Sequence, residues 1–135
     1  MENYRQAVFD YTRYEVIKGK RQTPQFYYVR EQAEVKAKLF KQALSDIDIA
    51  IYLAPDETSF KAEKASLQLR LNLISEAMQT AEQCVKEAPD YSDGYLILGL
   101  AQINSGKKEE GLANLDKAKN LGNSQATSLI EKYKK

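Results

Sequence analysis

Apolar and polar positions along this chain follow the period of amphipathic helices. Within residues 89–122 two apolar-striped segments meet at Asn104-Ser105-Gly106, a polar break ending in glycine of the kind that separates two helices. Stripes and breaks of the same kind predict helices over about 24–38, 40–53, 57–71, 74–87, 91–105 and 108–120, paired as antiparallel hairpins. Ahead of them, residues 2–14 read as a further helix whose stop signal is Gly19, and Thr23 before Pro24 reads as an N-cap with proline at the first helical position. Asn72 takes the turn position that Gly106 occupies one hairpin later, and after glycine asparagine best tolerates a left-handed backbone. At the far end Ala126, Leu129, Ile130 and Tyr133 form a stripe backed by Gln125, Ser128, Glu131 and Lys132. The reading is an all-α chain closed by a helix with one polar face.

The stripes recur at a fixed distance. Pro55 and Pro89 stand 34 residues apart, and the same step links Ala43, Ala77 and Gly111, then Ala50, Cys84 and Ala118, then Glu31, Ala65 and Gly99. Apart from Glu31, every member is small or a proline. Small residues facing one another let two helices approach closely while larger apolar side chains fill the flanks, so Gly99 and Gly111 read as packing sites.

This period and pattern resemble the tetratricopeptide repeat, whose landmarks are W-x2-L-G-x2-Y, then A-x3-F, then P. The third unit carries Tyr95, Leu98, Gly99, Gly111 and Leu115, with Gln102 at the tyrosine site and Asn123 at the proline site. In the second stand Lys61, Lys64, Ala65, Gln68, Ala77, Ala81 and Pro89, and in the first Tyr27, Arg30, Glu31, Glu34, Ala43, Ile47 and Pro55. Ala7 and Tyr11 reproduce the A-x3-F spacing with no first helix before them, so the N-terminal helix reads as the second half of a unit. The resemblance implies a right-handed α-α superhelix of about eight antiparallel helices. Its parts would be a half-repeat helix and loop at 1–23, repeats at 24–57, 58–91 and 92–125, and a capping helix at 126–135.

The resemblance also implies where a partner sits, because the first helix of every unit lines a concave groove. The groove-facing positions map to Tyr28, Gln32 and Lys36, to Ser66, Leu69 and Arg70, and to Leu96, Leu100 and Ile103, with Gln25, Val35, Ser59, Ala62, Asp93 and Asn104 beside them. Family members that grip a partner's C-terminal carboxylates use lysine, arginine and asparagine on those faces. Ala62, Leu96 and Leu100 do not suit that task, so the expected ligand is an extended or helical protein or peptide segment of mixed or apolar character. The alternative is a piece of a longer solenoid with an assembly role, as in related bacterial arrays. In such a chain Val8 and Tyr11 of the N-terminal helix would be partly uncovered, to be covered by upstream repeats or by a homodimer through that helix.

Charge and composition act here by exclusion. Twenty basic and 19 acidic residues are interspersed for a net charge of +1, which supplies no field to draw the chain onto nucleic acid. Lys18, Lys20 and Arg21 read as a solvated loop. No apolar run reaches the roughly 18 residues of a membrane span, so membrane insertion is not expected. The chain reads as soluble, in the cytoplasm by default, and exported only with an upstream signal. Histidine is absent, which removes the usual general base and the commonest metal ligand. Cys84, at a small packing site, reads as a buried structural thiol. Glu31 and Glu34 share a helix face as an acid–base pair could, yet Glu31 reads better as paired with a nearby arginine or lysine such as Arg13 or Arg30, or as pointing to the helix edge. No catalysis, cofactor or metal is expected. Most of Tyr4, Tyr11, Tyr14, Phe26 and Tyr27 read as core between the first two helices, with Tyr28 on the groove.

Overall fold

The computed structural model describes residues 2–19 and 22–135. Eight helices follow one another among them: α1 (Glu2–Lys18), α2 (Pro24–Lys36), α3 (Phe40–Leu53), α4 (Thr58–Arg70), α5 (Ile74–Glu87), α6 (Ser92–Asn104), α7 (Lys108–Asn120) and α8 (Ala126–Lys134). They pack in sequence as antiparallel pairs, and the chain divides into two compact units, one up to Phe60 and one from Lys61. No described helix is long and apolar enough to cross a membrane. Of the basic loop residues, Lys20 and Arg21 lie outside the described residues.

The hairpin turns explain the helix ends. At the ends of α2, α4 and α6 a single residue takes a left-handed backbone: Lys38 (φ 62°), Asn72 (φ 61°) and Gly106 (φ 94°). The next residue then sends its N–H back to a carbonyl in the last helical turn, Leu39 to Glu34, Leu73 to Gln68 and Lys107 to Gln102, each at 2.8 Å. This is the six-to-one bond of a Schellman cap, which satisfies carbonyls that the helix leaves orphaned. Lys38 therefore belongs to the turn series, and α2 stops at Lys36, two residues short of the sequence expectation. Elsewhere the expected signals hold. Gly19 (φ 94°) ends α1, and the Thr23 hydroxyl accepts from the Phe26 N–H at 3.2 Å as the N-cap of α2.

In the first unit α1 packs on α2 and α2 on α3. Tyr27 and Ile47 are fully buried, but Arg30, Glu31, Glu34 and Asp46 are buried too, so this core is partly polar. The second unit packs α5 on α6, α6 on α7 and α7 on α8. One cluster there joins Ala62, Ala65, Ala81, Cys84, Ile97 and Leu98. A second joins Leu96, Leu115, Ala118 and Ala126.

Helices α6 and α7 touch backbone to backbone at the two predicted packing glycines. A Cβ at Gly99 would stand 2.7 Å from the Gly111 carbonyl oxygen, and one at Gly111 would stand 2.6 Å from the Gly99 oxygen and from Cγ1 of Ile103. Neither oxygen is the end of a flexible side chain, so the helices themselves would have to part. Glycine costs a helix interior about 1 kcal/mol relative to alanine, and close packing outweighs that here. Gly111→Ala is expected to lower stability by about 1–3 kcal/mol despite its better helix propensity, read as a lower midpoint in urea denaturation.

Candidate functional site

Each hairpin is closed at its centre by a polar pair. Gln68 on α4 accepts from the Thr80 hydroxyl on α5 at 2.7 Å, and Gln102 on α6 accepts from the Asn114 amide on α7 at 2.6 Å. In the first hairpin Glu34 on α2 is hydrogen-bonded to Asp46 on α3. The three first-helix residues occupy the family's tyrosine site, and their partners stand 12 residues later in every case. Sequence reasoning recognised the first set and missed the second. The signal was available, since Asp46, Thr80 and Asn114 keep the 34-residue step.

Two carboxyl groups in one buried pair force a protonation. Burial first, then the hydrogen bond to Asp46, pushes the Glu34 carboxyl up to about 9, so at neutral pH Glu34 is protonated and donates to Asp46. Glu34 Oε1 has no hydrogen-bond partner among the described residues. That vacancy costs less in a neutral acid than in a carboxylate. Asp46 also receives Arg30, whose Nε and Nη2 approach its two oxygens at 2.7 and 2.6 Å in the bidentate geometry that guanidinium favours. Arg30 Nη1 reaches Glu15 on α1 at 3.1 Å, and these bonds hold the guanidinium protonated more firmly than usual against the cost of its burial. One arginine thus ties three helices.

The two arginines named as candidate partners of Glu31 make other contacts. Arg30 serves Asp46 and Glu15, and Arg13 lies over the Phe9 ring at 5.9 Å. Glu31 is buried and accepts from the Gln32 side-chain amide at 2.8 Å. Cys84 is fully buried, and burial pushes its thiol up to about 11, away from nucleophilic use. Of the aromatic residues expected in the core, Tyr27 is buried, Tyr11 and Phe26 are half-buried, and Tyr4 and Tyr14 are exposed.

The predicted groove positions fall as follows. On α2, Tyr28 is half-buried with its ring 5.2 Å from that of Phe60. Gln32 is half-buried, and Lys36 is exposed with Nζ over the Tyr4 ring at 5.4 Å. On α4, Ser66 is half-buried, Leu69 packs partly against the Ala62 cluster and Arg70 is exposed. On α6, Leu100 and Ile103 are half-buried. Leu96 departs from expectation: it is 6% exposed and packs with Leu115, Ala118 and Ala126. Ala126 begins α8, so the last helix takes up the face that Leu96 would have offered. Ala62, 4% exposed, likewise lies in the core. Asp93, at the start of α6, accepts from the Asn123 side-chain amide at 2.8 Å, which pins the turn into α8.

Paired helices with small-residue contacts at a constant step define an α-helical repeat protein. The particular class is the tetratricopeptide-repeat fold, and the eight helices make up about four repeats. No protein-family model matches the chain. Over 95 residues it is 27% identical to small glutamine-rich tetratricopeptide repeat-containing protein 2 of Saccharomyces cerevisiae, a match spanning 70% of this chain and 28% of that protein. Among solved structures, YrrB, a TPR protein with an unusual peptide-binding site, superposes with a TM-score of 0.82 at 19% identity, covering 97% of this chain and 66% of its own. The first TPR of Spaghetti (RPAP3), bound to an HSP90 peptide, gives 0.76 at 19% identity over 84% of this chain and 91% of its own. The Sgt2 TPR domain of Aspergillus fumigatus gives 0.75 at 21% identity, covering 82% and 76%.

The Glu34–Asp46 pair carries a pH dependence with a definite sign. Its folded pKa lies above that of an unfolded glutamate, so its contribution is fully present below about pH 4.3 and is lost as pH rises through about 9. One such group contributes a slope of at most about 1.4 kcal/mol per pH unit. Glu34→Gln reproduces the glutamine of the other two hairpins and holds the donor without a titrating proton. Urea denaturation at pH 6, 7, 8 and 9 should show stability falling in the wild type and a flatter profile in the variant.

Proposed function

We propose that this chain is a non-catalytic protein-binding module that holds an extended or helical partner segment against the first-helix faces of its repeats. The observation that carries the reading is half-buried side chains of mixed character on those helices, taken in each unit by itself: Tyr28 and Gln32 on α2 in the first, and Leu69 and Ser66 on α4 with Leu100 and Ile103 on α6 in the second. Each offers part of its side chain to solvent while its base is anchored in the core, the condition for apolar contact with little loss of rotamer freedom. Lys36 and Arg70, both exposed, add cations at equivalent positions of the first two full repeats. Peptide binding by YrrB and by the first TPR of Spaghetti supports a peptide as the ligand class. Leu96 is withdrawn from the surface and takes no part. Peptide-display selection on the wild-type chain should enrich segments whose binding falls at least about tenfold with Tyr28→Ala or Arg70→Glu and is unchanged with Tyr52→Ser, at an exposed position of α3. Retention of every enriched peptide by both groove variants would count against the groove.

A second reading, self-association through α1, is favoured by a separate observation. Phe9, Val16 and Ile17 are 56%, 79% and 69% exposed, and with Thr12 and Arg13 they line a shallow apolar depression. Val8 and Tyr11, expected to be partly uncovered, are half-buried. Self-association through this face would give a dimer in sedimentation equilibrium that Val16→Glu/Ile17→Lys converts to monomer. A wild-type monomer at on the order of 100 μM, weaker than the micromolar range of ordinary specific association, would exclude it.

A further inference from the structure

A notch separate from the groove positions lies between α1 and α2 in the first unit. It is open to solvent, has a volume of about 460 Å³ and is lined, among the described residues, by Asp10, Tyr11 and Tyr14 of α1, Gln22 and Thr23 of the loop, and Phe26 of α2. Three aromatic rings converge there. Tyr11 meets Phe26 edge-on at 5.7 Å, and Tyr14 lies tilted against it at 5.6 Å. The polar lining groups of the loop are already engaged, since the Gln22 amide donates to the Gly19 carbonyl at 2.8 Å and the Thr23 hydroxyl caps α2. Among the described residues of the lining Asp10 is the one formally charged side chain, and it is exposed. Its Oδ1 accepts one hydrogen bond from Gln6 at 3.0 Å, and a carboxylate retains capacity for a bidentate donor.

Aromatic faces carry negative potential, and next to a carboxylate they select organic cations over neutral or anionic groups. The protein uses the same chemistry from inside, where Arg30 lies over the Phe26 and Tyr27 rings at 5.4 and 5.5 Å and so fixes the ring that backs the notch. A planar guanidinium can stack on Tyr14 or Tyr11 while its fork meets Asp10. A lysine ammonium offers one point charge and no plane. We propose that the notch formed by Asp10, Tyr11, Tyr14 and Phe26 is a binding site for an arginine side chain of a partner polypeptide.

The site shares no residue with the groove positions, so it is tested independently of the groove. Aromatic 13C-resolved NMR on the full chain would follow titration with N-acetylarginine methylamide, with N-acetylcitrulline methylamide as the neutral isostere, and with N-acetyllysine methylamide. Arginine should shift the Tyr11, Tyr14 and Phe26 ring signals saturably at on the order of 1 mM, with citrulline at least tenfold weaker and lysine between them. Asp10→Asn and Tyr14→Ala, both at exposed positions, should each weaken arginine binding about tenfold while far-UV circular dichroism stays unchanged. Equal binding of citrulline and arginine, lysine binding as tight as arginine, an undiminished response in Asp10→Asn, or no saturable shift of these rings would each overturn the proposal.

Discussion

Each of the three hairpins α2–α3, α4–α5 and α6–α7 brings two polar side chains together at its centre, where the first-helix partner is buried, and that constraint orders much of the rest. A polar group taken out of water without a partner costs about 1–3 kcal/mol, so the two helices must meet in the one register that pairs them. Small residues one turn earlier on the first helix make the approach possible. Ala65 precedes Gln68, and Gly99 precedes Gln102. Where the approach is tightest, between α6 and α7, glycine faces glycine and the backbones set the distance. The non-directional burial of Leu98, Leu115 and Ala118 then adds stability to a geometry that the hydrogen bonds have already specified.

The first hairpin solves the same problem with different chemistry. Glu31 stands where the other hairpins have Ala65 and Gly99, and Arg30 stands where the third has Leu98. The gap is filled by charge. Arg30 joins α1 to α3 through Glu15 and Asp46, and Glu34 remains neutral so that the site holds fewer negative charges than carboxyl groups. Buried ion pairs of this kind seldom add net stability over a hydrophobic alternative, because desolvation offsets much of the attraction. They do fix which groups meet. In the first unit that specificity replaces the shape complementarity that the glycine contact supplies in the second, and it aligns the Phe26 ring on α2 with the tyrosines of α1.

Much of the fold was legible in the residues. The 34-residue step located the small packing sites, and glycine, asparagine and the Thr23-Pro24 pair marked helix ends through their backbone preferences. Lys38 escaped because its side chain carries no such preference, so only its place in the series with Asn72 and Gly106 identifies it. The surface was less legible. Periodicity assigns a face to Leu96, but whether that face meets solvent depends on α8, whose packing is a tertiary fact. Likewise the charge of Arg30 says that it needs an acid, and only the fold decides that Asp46 and Glu15 supply it.

The central pairs also differ in direction. In the second and third hairpins the second helix donates and the first accepts, Thr80 to Gln68 and Asn114 to Gln102. In the first hairpin the protonated Glu34 donates and the second helix accepts at Asp46. Repeats of equal length are commonly treated as interchangeable modules, and these three share the 34-residue step and the same turn. By hydrogen-bond polarity they are not interchangeable. A threonine moved into the place of Asp46 would remove the acceptor that Arg30 grips, whereas the hairpin transplanted whole would carry its own donor and acceptor with it. The unit of exchange in this chain is therefore the helix pair, and its boundaries are drawn by the path of one proton.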